Sequence, residues 1–265
     1  MLIAHLSDPH VCPPGELYQG LVDSNAMFAA AIRRVAALDP APDLVILTGD
    51  IVEHGARAEY SHALELLAPL NQPLLAIPGN HDEREAFRRA FAGRDFLPAI
   101  GPLHFASGKH GPVRIVGLDI SVPGHHHGDI DQATAAWLET VLAEEPERPT
   151  LILMHQPPVE TAIGFIDAYR CFNGDRLAAI LARYPAVERI LCGHVHRHMS
   201  LRFGGTLLQI APSTASSIAL RLTPGAEPAS YVEPAGLLLH HWRGAAGLAT
   251  HYLPVDPGAG PLPFF

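Results

Sequence analysis

Short apolar segments that run directly into loops carrying Asp, Asn or His are the strongest constraint in this chain. The first three cover residues 2–6, 44–48 and 73–77, and a helix-like segment follows each loop. Short apolar runs that alternate with helices indicate a largely parallel β-sheet with helices on its face. In such sheets, functional residues collect in the loops beyond the carboxyl ends of the strands. The pattern therefore predicts an α/β fold with a site at one sheet edge.

The rest of the chain continues in the same way. Further strands are expected at residues 103–105, 113–118, 150–154, 188–192, 207–210, 237–242 and 248–253. Helices are expected at residues 24–38, 57–67, 83–91, 131–143 and 173–184. Residues 211–231 are rich in Pro, Ser and Ala and follow neither period. Because we find no repeat and no clear linker, we expect one domain over residues 1–265.

Composition excludes several classes of partner. The net charge is −9 with only 18 Lys and Arg, so a nucleic-acid polymer or an anionic membrane surface is not expected as a partner. No apolar run approaches the ~20 residues of a membrane span, and the N-terminus lacks a signal-peptide pattern. Three cysteines without a Cys-x-x-Cys pair indicate reduced thiols. We therefore expect a cytoplasmic protein.

The loops at the strand ends supply a set of metal-binding side chains. Oxygen and nitrogen ligands without thiolate suit iron, manganese, zinc or cobalt. The set exceeds what one ion needs, whereas two ions about 3.5–4 Å apart with a bridging carboxylate would use it. Five strand ends deliver these candidates, which are Asp8, His10, Asp50, Asn80, His81, His155, His194 and His196.

These motifs resemble, in order and spacing, those of the calcineurin-like metallophosphoesterases. The resemblance spans residues 1 to about 210, and within the family it is nearest to bacterial glycerophosphodiesterases and class III cyclic-nucleotide phosphodiesterases. It implies a four-layer α/β/β/α sandwich of two mixed sheets flanked by helices. The motifs that carry it are Asp8-x-His10, Gly49-Asp50, Gly79-Asn80-His81-Asp82, His155 and Gly193-His194-x-His196.

The resemblance also implies roles for individual residues. One metal ion would be held by Asp8, His10, Asp50 and His196. The second would be held by Asp50, Asn80, His155 and His194, with Asp50 bridging. Metal-bound hydroxide would attack phosphorus in line with the leaving alkoxide, and the catalytic residues would be His81, Asn80 and Asp50. Asp82 would orient His81 through a hydrogen bond. Two ions, two carboxylates and a hydroxide leave a charge near +1, which suits a phosphodiester monoanion.

Several alternatives stay open at this point. The substrate is expected to be a small phosphodiester, either a cyclic nucleotide or a glycerophosphodiester. A phosphomonoesterase or nucleotide pyrophosphatase of the same superfamily is the second hypothesis, and a non-catalytic interaction module the third. His198 is expected outside the ligand set, and His125, His126 and His127 on a solvated loop at the cleft rim. Residues 211–232 are a candidate lid or dimerisation segment, and we expect a homo-oligomer, dimeric or larger.

Overall fold

The structure is a computed structural model that describes residues 1–260 and 262–263. Its strands are, in chain order, β1 (Leu2–Leu6), β2 (Leu44–Thr48), β3 (Leu74–Ile77), β4 (Phe105–Ser107), β5 (Arg114–Gly117), β6 (Gly128–Asp129), β7 (Thr150–Leu153), β8 (Cys171–Phe172), β9 (Val187–Cys192), β10 (Met199–Phe203), β11 (Thr206–Ile210), β12 (Ser217–Ile218), β13 (Ser230–Tyr231), β14 (Gly236–Trp242) and β15 (Leu248–Pro254). Its α-helices are α1 (Ser24–Ala36), α2 (Arg57–Leu67), α3 (Arg84–Ala90), α4 (Gln132–Glu144), α5 (Gly164–Asp167) and α6 (Gly174–Leu181). A 3₁₀ turn covers Gly244–Ala246.

Two mixed sheets form the centre of the fold. The first has the strand order β15-β14-β1-β2-β3, in which β1, β2 and β3 are parallel and the hairpin β14–β15 joins them antiparallel. The second has the order β10-β11-β9-β7-β5-β4, with a parallel centre and antiparallel edge strands. Since parallel neighbours end at the same edge, each sheet presents several carboxyl ends together.

Alternating side chains of the second sheet show how the layers stack. On β7, Leu151 and Leu153 belong to the apolar cluster that includes the first sheet, whereas Ile152 packs with the residues of α4 and α6. On β9, Leu191 packs in the cluster that includes the first sheet, and Ile190 packs with the residues of α4 and α6. Because successive strand residues point to opposite faces, one face of the second sheet lies against the first sheet and the other lies under helices. Helices α1, α2 and α3 contact one another beside the first sheet.

The predicted α/β sandwich of two mixed sheets is confirmed, and most predicted strands and helices lie within a few residues of their expected places. The strand expected at 103–105 lies instead at Phe105–Ser107. The strand β10 and the short ribbon β12–β13 were not predicted. β10 does alternate apolar and polar residues but is only five residues long and half-exposed, and β12 and β13 have two residues each, too few to show a period. In the described part of the chain, no helix combines the length and hydrophobicity that a membrane crossing requires.

Candidate metal centre and active-site cleft

The candidate ligands meet where the carboxyl ends of the two sheets face each other. The backbone N–H of Asp8 donates to the carbonyl of Gly49 at 3.1 Å, which joins the loops after β1 and β2. The N–H of His194, after β9, donates to both carboxylate oxygens of Asp8 at 3.0 and 3.1 Å. The loop after β9 is therefore tied directly to the loop after β1, across the seam between the sheets.

Two groups of ligand atoms form at this seam. In each group all ligand atoms lie within 4.8 Å of one another, and every member is buried. Asp50 belongs to both groups, which places its carboxylate between them. Asn80 and His81, after β3, line the cavity that opens onto the groups. The two groups are Asp8, His10, Asp50 and His196, and Asp50, His155 and His194.

The backbone of most of these residues is strained. Non-glycine residues with positive φ are uncommon, and those that occur at functional sites cost on the order of 1–3 kcal/mol each. Five of the predicted metal ligands have this conformation. They are Asp8 (φ 51°), His10 (45°), Asp50 (48°), His194 (69°) and His196 (56°). These left-handed residues follow β1, β2 and β9, whereas Asn80 after β3 and His155 after β7 do not have a positive φ.

Glycines in the motifs allow the strands' ends to approach the ligands. A Cβ on Gly193 would lie 2.0 Å from Ser7 Oγ and 2.6 Å from Asp8 Oδ2. A Cβ on Gly79 would lie 2.2 Å from Asp50 Oδ1. Neither backbone has room for a side chain, because the space that a methyl group would take is filled by a ligand carboxylate.

Hydrogen bonds on the outer side of His10 and His196 direct their lone pairs inward. His10 Nδ1 lies 2.7 Å from Glu53 Oε2, and His196 Nδ1 lies 2.9 Å from the carbonyl of Ser216. Both acceptors lack a proton, so each Nδ1 carries the hydrogen and each Nε2 is a bare acceptor. The two Nε2 atoms nevertheless lie 3.1 Å apart. Two facing lone pairs at this distance need a cation between or beside them.

In the second group, the position of His155 also indicates that a cation is needed. Its Nδ1 lies 2.6 Å from the carbonyl of Thr48 and therefore carries the proton. Its Nε2 lies 3.1 Å from Asp50 Oδ2, and the Nε2 atoms of His155 and His194 are buried without a hydrogen-bond partner. Converging imidazole lone pairs and carboxylates would be costly without positive charge, so these residues fit divalent metal ions well.

The pKa values describe the same concentration of charge. Burial alone would raise the pKa of Asp50, but His155, His81 and His10 hold it well below its usual range. Burial also opposes ionisation of Asp8, whose pKa falls to about 2 beside His196 and His155. Burial and the neighbouring His155 lower the pKa of His194 to about 3. Despite burial, the carboxylates of Asp50 and Asp8 raise the pKa of His155 to about 9, so without an ion a proton on Nε2 supplies the positive charge that a metal ion would bring.

The partner predicted for His81 is wrong. The carboxylate of Asp82 accepts hydrogen bonds from the N–H groups of Ile51 (3.1 Å) and Gly79 (2.8 Å) and from the hydroxyl of Tyr60 (2.7 Å). His81 Nδ1 instead lies 2.8 Å from the carbonyl of Glu53 and 3.4 Å from its carboxylate. Asp82 points back into its own loop because the tight turn there leaves backbone donors that need an acceptor.

Glu53 is the functional residue that sequence reasoning missed. It contacts both His10 and His81, and the three residues form a further group with metal-binding spacing. The available signal was a carboxylate three residues after Asp50, in a loop already assigned to the site.

A cavity of about 500 Å³ opens above the ligand groups. One side of it is polar and includes Asn80, His81 and the ligands, and no Lys or Arg is among its lining residues. The lining also has an apolar part, which contains Phe165, Ile166, Tyr169, Ile218, Pro228 and Ala229.

The remaining histidines divide between the cleft and its surroundings. His126 is exposed, as the predicted rim loop requires, and it also lines the cavity, with its Nδ1 3.2 Å from the amide nitrogen of Asn80. His125 and His127 contact each other beside the cavity and do not line it. His198 lies outside both ligand groups, as predicted, and stacks on Tyr252.

Comparison with known proteins gives consistent results. Residues 1–198 match the family model described as calcineurin-like phosphoesterase. The chain is 34% identical over 266 residues to a protein of Arcobacter nitrofigilis named probable glycerophosphodiester phosphodiesterase GpdQ, covering 100% of this chain and 97% of that one. It is 34% identical over 172 residues to the 3',5'-cyclic adenosine monophosphate phosphodiesterase CpdA of Escherichia coli K12, covering 65% and 61% of the two chains.

Solved structures share the fold at low identity. A dimetal phosphatase from Danio rerio superimposes with a TM-score of 0.62 at 13% identity, covering 97% of this chain and 99% of that one. The purple acid phosphatase PPD1 from Lupinus luteus gives a TM-score of 0.70 at 13% identity, covering 98% and 52%. These similarities extend over both sheets.

Proposed function

Because this chain belongs to the calcineurin-like phosphoesterase family, as its motifs predicted, we propose that it is a metal-dependent phosphoric diester hydrolase acting on small phosphodiesters. The observation that carries the proposal is the convergence of imidazole nitrogens and carboxylates in two groups that share Asp50. The full-length relative named as a glycerophosphodiester phosphodiesterase and the relative named as a cyclic-AMP phosphodiesterase support the reaction class.

The proposed binding of two metal ions follows the two ligand groups. One ion would be held by Asp8, His10, Asp50 and His196, and the other by Asp50, His155 and His194 together with the amide oxygen of Asn80. Iron, manganese, zinc and cobalt all suit these donors, so availability decides among them. When bound, the ions lower the pKa of water and neutralise charge on the phosphoryl oxygens.

The chain's own residues hold and orient the substrate. His81 Nδ1 is engaged by Glu53, so Nε2 is the nitrogen free to face the cavity. Burial would lower the pKa of His81, but the carboxylates of Asp50 and Glu53 raise it above its ordinary value. The raised pKa favours the protonated ring, which can donate to a phosphoryl oxygen or to the departing alkoxide, and this is general-acid catalysis. The neutral amide of Asn80 adds no negative charge beside the incoming diester.

The cavity favours diesters over the alternatives. A phosphomonoester dianion or a pyrophosphate carries more charge than a diester, yet no Lys or Arg lines the cavity to meet it. The apolar side, with Phe165 and Tyr169, gives surface to the esterified alcohol of a diester. Both cyclic nucleotides and glycerophosphodiesters meet these conditions. A non-catalytic module is disfavoured, because unpaired buried nitrogens at His155 and His194 serve no purpose without ions.

Two further expectations belong to the proposal. A homo-oligomer is supported by exposed apolar side chains in the segment 211–232, namely Leu220, Leu222, Tyr231 and Val232. A cytoplasmic location is supported by the three cysteines, which are buried and free of disulfides. The single-domain organisation also stays a prediction.

The test compares hydrolysis of bis(p-nitrophenyl) phosphate and p-nitrophenyl phosphate by the Mn²⁺-reconstituted protein. We expect the diester to have the higher kcat/KM, and His81→Ala to lower diester kcat about 10²–10⁴-fold while Mn²⁺ content is unchanged. The matched control is His251→Ala, which removes an exposed imidazole on β15. A preference for the monoester, or full diester turnover in His81→Ala, would contradict the proposal.

A further inference from the structure

A row of polar side chains crosses the first sheet on the face that meets the second sheet. Thr250 on β15, His240 on β14, His5 on β1 and Thr48 on β2 each contribute one side chain to it. Both histidines are fully buried. Buried polar groups are stable only when they are hydrogen-bonded, so each contact in this row needs a donor and an acceptor.

Every neighbouring pair in the row lies within hydrogen-bond distance. Thr250 Oγ1 lies 2.8 Å from His240 Nδ1, and His240 Nε2 lies 3.1 Å from His5 Nδ1. His5 Nε2 lies 2.8 Å from Thr48 Oγ1. At the outer end, the guanidinium of Arg189 on β9 donates to Thr250 Oγ1 at 2.6 Å. The row is thus a continuous chain of hydrogen bonds that begins at a permanent cation.

The inner end of the chain reaches the metal centre. The hydroxyl of Thr48 donates to Ser7 Oγ at 2.8 Å, and Ser7 Oγ in turn lies 3.4 Å from the carbonyl of Thr48. That same carbonyl accepts the hydrogen bond from His155 Nδ1 at 2.6 Å. Thr48 is therefore held by its side chain and orients His155 through its main chain.

One arrangement of protons satisfies all of these contacts. Arg189 can only donate, so Thr250 accepts from it, and His240 Nδ1 is then the acceptor within reach of the Thr250 hydroxyl proton. His240 then donates from Nε2 to His5 Nδ1, and His5 donates from Nε2 to Thr48 Oγ1. The reverse direction would leave the Thr48 carbonyl without the proton of Ser7. Burial, which lowers the pKa of His5 to about 3 and that of His240 well below its usual value, agrees with two neutral rings.

We propose that His5 and His240 are positioning residues of the metal centre, which relay a one-directional hydrogen-bond chain from Arg189 to Thr48 and so fix the carbonyl that orients His155. The inference rests on the proposed role of His155 as a metal ligand. It assigns a function to the hairpin β14–β15, which lies beyond the residues 1–198 that the family model matches and carries none of the proposed ligands.

The first measurement is ¹⁵N–¹H NMR of the imidazole rings in the full-length protein. His5 and His240 are both expected as neutral rings with the proton on Nε2. In Thr250→Val, which keeps the side-chain shape but removes the hydroxyl, the proton of His240 should stay on Nε2, and the ¹⁵N signal of Nδ1 should shift because Nδ1 loses the hydrogen bond that it accepts. An imidazolium at either position, an Nδ1-protonated His5 or His240 in the wild type, or an unshifted His240 Nδ1 signal in Thr250→Val would overturn the proposal.

The second measurement is Mn²⁺ affinity by calorimetric titration without substrate. His240→Leu should weaken binding at least tenfold, in the range found when groups that support metal ligands are removed. His240→Gln should retain most of the affinity, because its amide nitrogen can still donate to His5. His241→Leu, on the exposed neighbour in the same strand, is the matched control and should bind as wild type does.

These measurements distinguish a failure of the hydrogen-bond chain from a failure of the proposed function. Equal Mn²⁺ affinity in His240→Leu and His241→Leu would overturn the proposal. If His240→Leu does not fold, Thr250→Val decides alone, since its expected weaker Mn²⁺ binding and shifted His240 Nδ1 signal must both be seen. A wild-type protein with the expected tautomers and Mn²⁺ affinity but no diester hydrolysis would contradict the proposed function and leave this hydrogen-bond chain standing.

Discussion

Replacing Asp119 by Asn should destabilise the protein far more than its isosteric shape suggests. The carboxylate lies after β5, and its side chain is fully buried. It accepts two hydrogen bonds from Arg84 (2.6 and 3.0 Å), one from the N–H of Leu103 (2.9 Å) and two from Ser121. Arg84 opens helix α3, directly after the loop that carries Asn80, so this contact joins the active-site loop to the second sheet.

The expected loss in free energy of unfolding depends on which hydrogen-bond donors lose their acceptor in Asp119→Asn. Asp119 Oδ2 accepts from Arg84 Nε and Leu103 N, and Oδ1 accepts from Arg84 and from the N–H of Ser121. Whichever oxygen becomes the amide NH₂ of asparagine, two N–H donors then face another donor. An orphaned buried donor costs about 1–3 kcal/mol. Because the Arg84 side chain is 29% exposed and can turn to water, we expect a total near 3 kcal/mol.

Thermal unfolding at a fixed Mn²⁺ concentration measures this change. For a chain of this size, about 3 kcal/mol corresponds to a fall in Tm of roughly 6–12 °C. The control is Asp95→Asn, which breaks an ion pair with Lys109 between two side chains that are 63% and 66% exposed. Exposed pairs contribute little, so its Tm should barely move. Equal Tm values for the two variants would refute the reasoning.

The pH dependence gives an independent check on the same residue. Burial would raise the pKa of Asp119, but the guanidinium of Arg84 and the N–H of Leu103 lower it below its ordinary value of 3.8. A carboxyl group whose folded pKa is depressed stabilises the protein above its unfolded pKa and loses that contribution as pH falls through the folded value. The stability difference between wild type and Asp119→Asn should therefore be full at neutral pH and shrink below about pH 4.

Three further outcomes are expected at the metal centre. Gly193→Ala puts a Cβ 2.6 Å from Asp8 Oδ2 and should lower Mn²⁺ affinity in calorimetry more than tenfold, whereas Gly164→Ala, which has no atom within 4 Å of the new Cβ, should not. Glu53→Gln keeps the shape but removes the charge beside His10, and should lower metal affinity or diester kcat about 10–100-fold; unchanged values would exclude its supporting role. Chelation should lower Tm, and added Mn²⁺ should restore it. At a Mn²⁺ concentration one hundred times the Kd, the free energy of unfolding should rise by about 2.7 kcal/mol. A Tm that does not change with Mn²⁺ would argue against resident ions.

Local patterns in the sequence were enough to predict most of the strands and helices and the candidate ligands. The apolar runs before Asp8, Asp50 and His155 predict buried strands, and strand ends in a parallel sheet must meet, so the ligand candidates could be placed together. Such reasoning works because each motif is contiguous and needs only its own strand to position it.

Contacts between distant segments could not be predicted in this way. His5 and His240 lie 235 residues apart, and Arg84 and Asp119 lie 35 apart. Each residue looks ordinary in its own segment, and the partner is set by the stacking and register of the sheets. Glu53 was missed for a related reason, since its role depends on how the loop after β2 folds back on itself.

The left-handed backbones of the ligands have a consequence for attempts to improve this protein. Five ligand positions hold non-glycine residues in a conformation that glycine or asparagine adopts more easily. Selection for heat resistance in the absence of metal should therefore enrich replacements such as His194→Gly or His196→Asn, because each relieves backbone strain in the folded state. Such a screen would dismantle the catalytic centre while every stability measurement improved, so the selection has to be run with Mn²⁺ present and turnover as the readout.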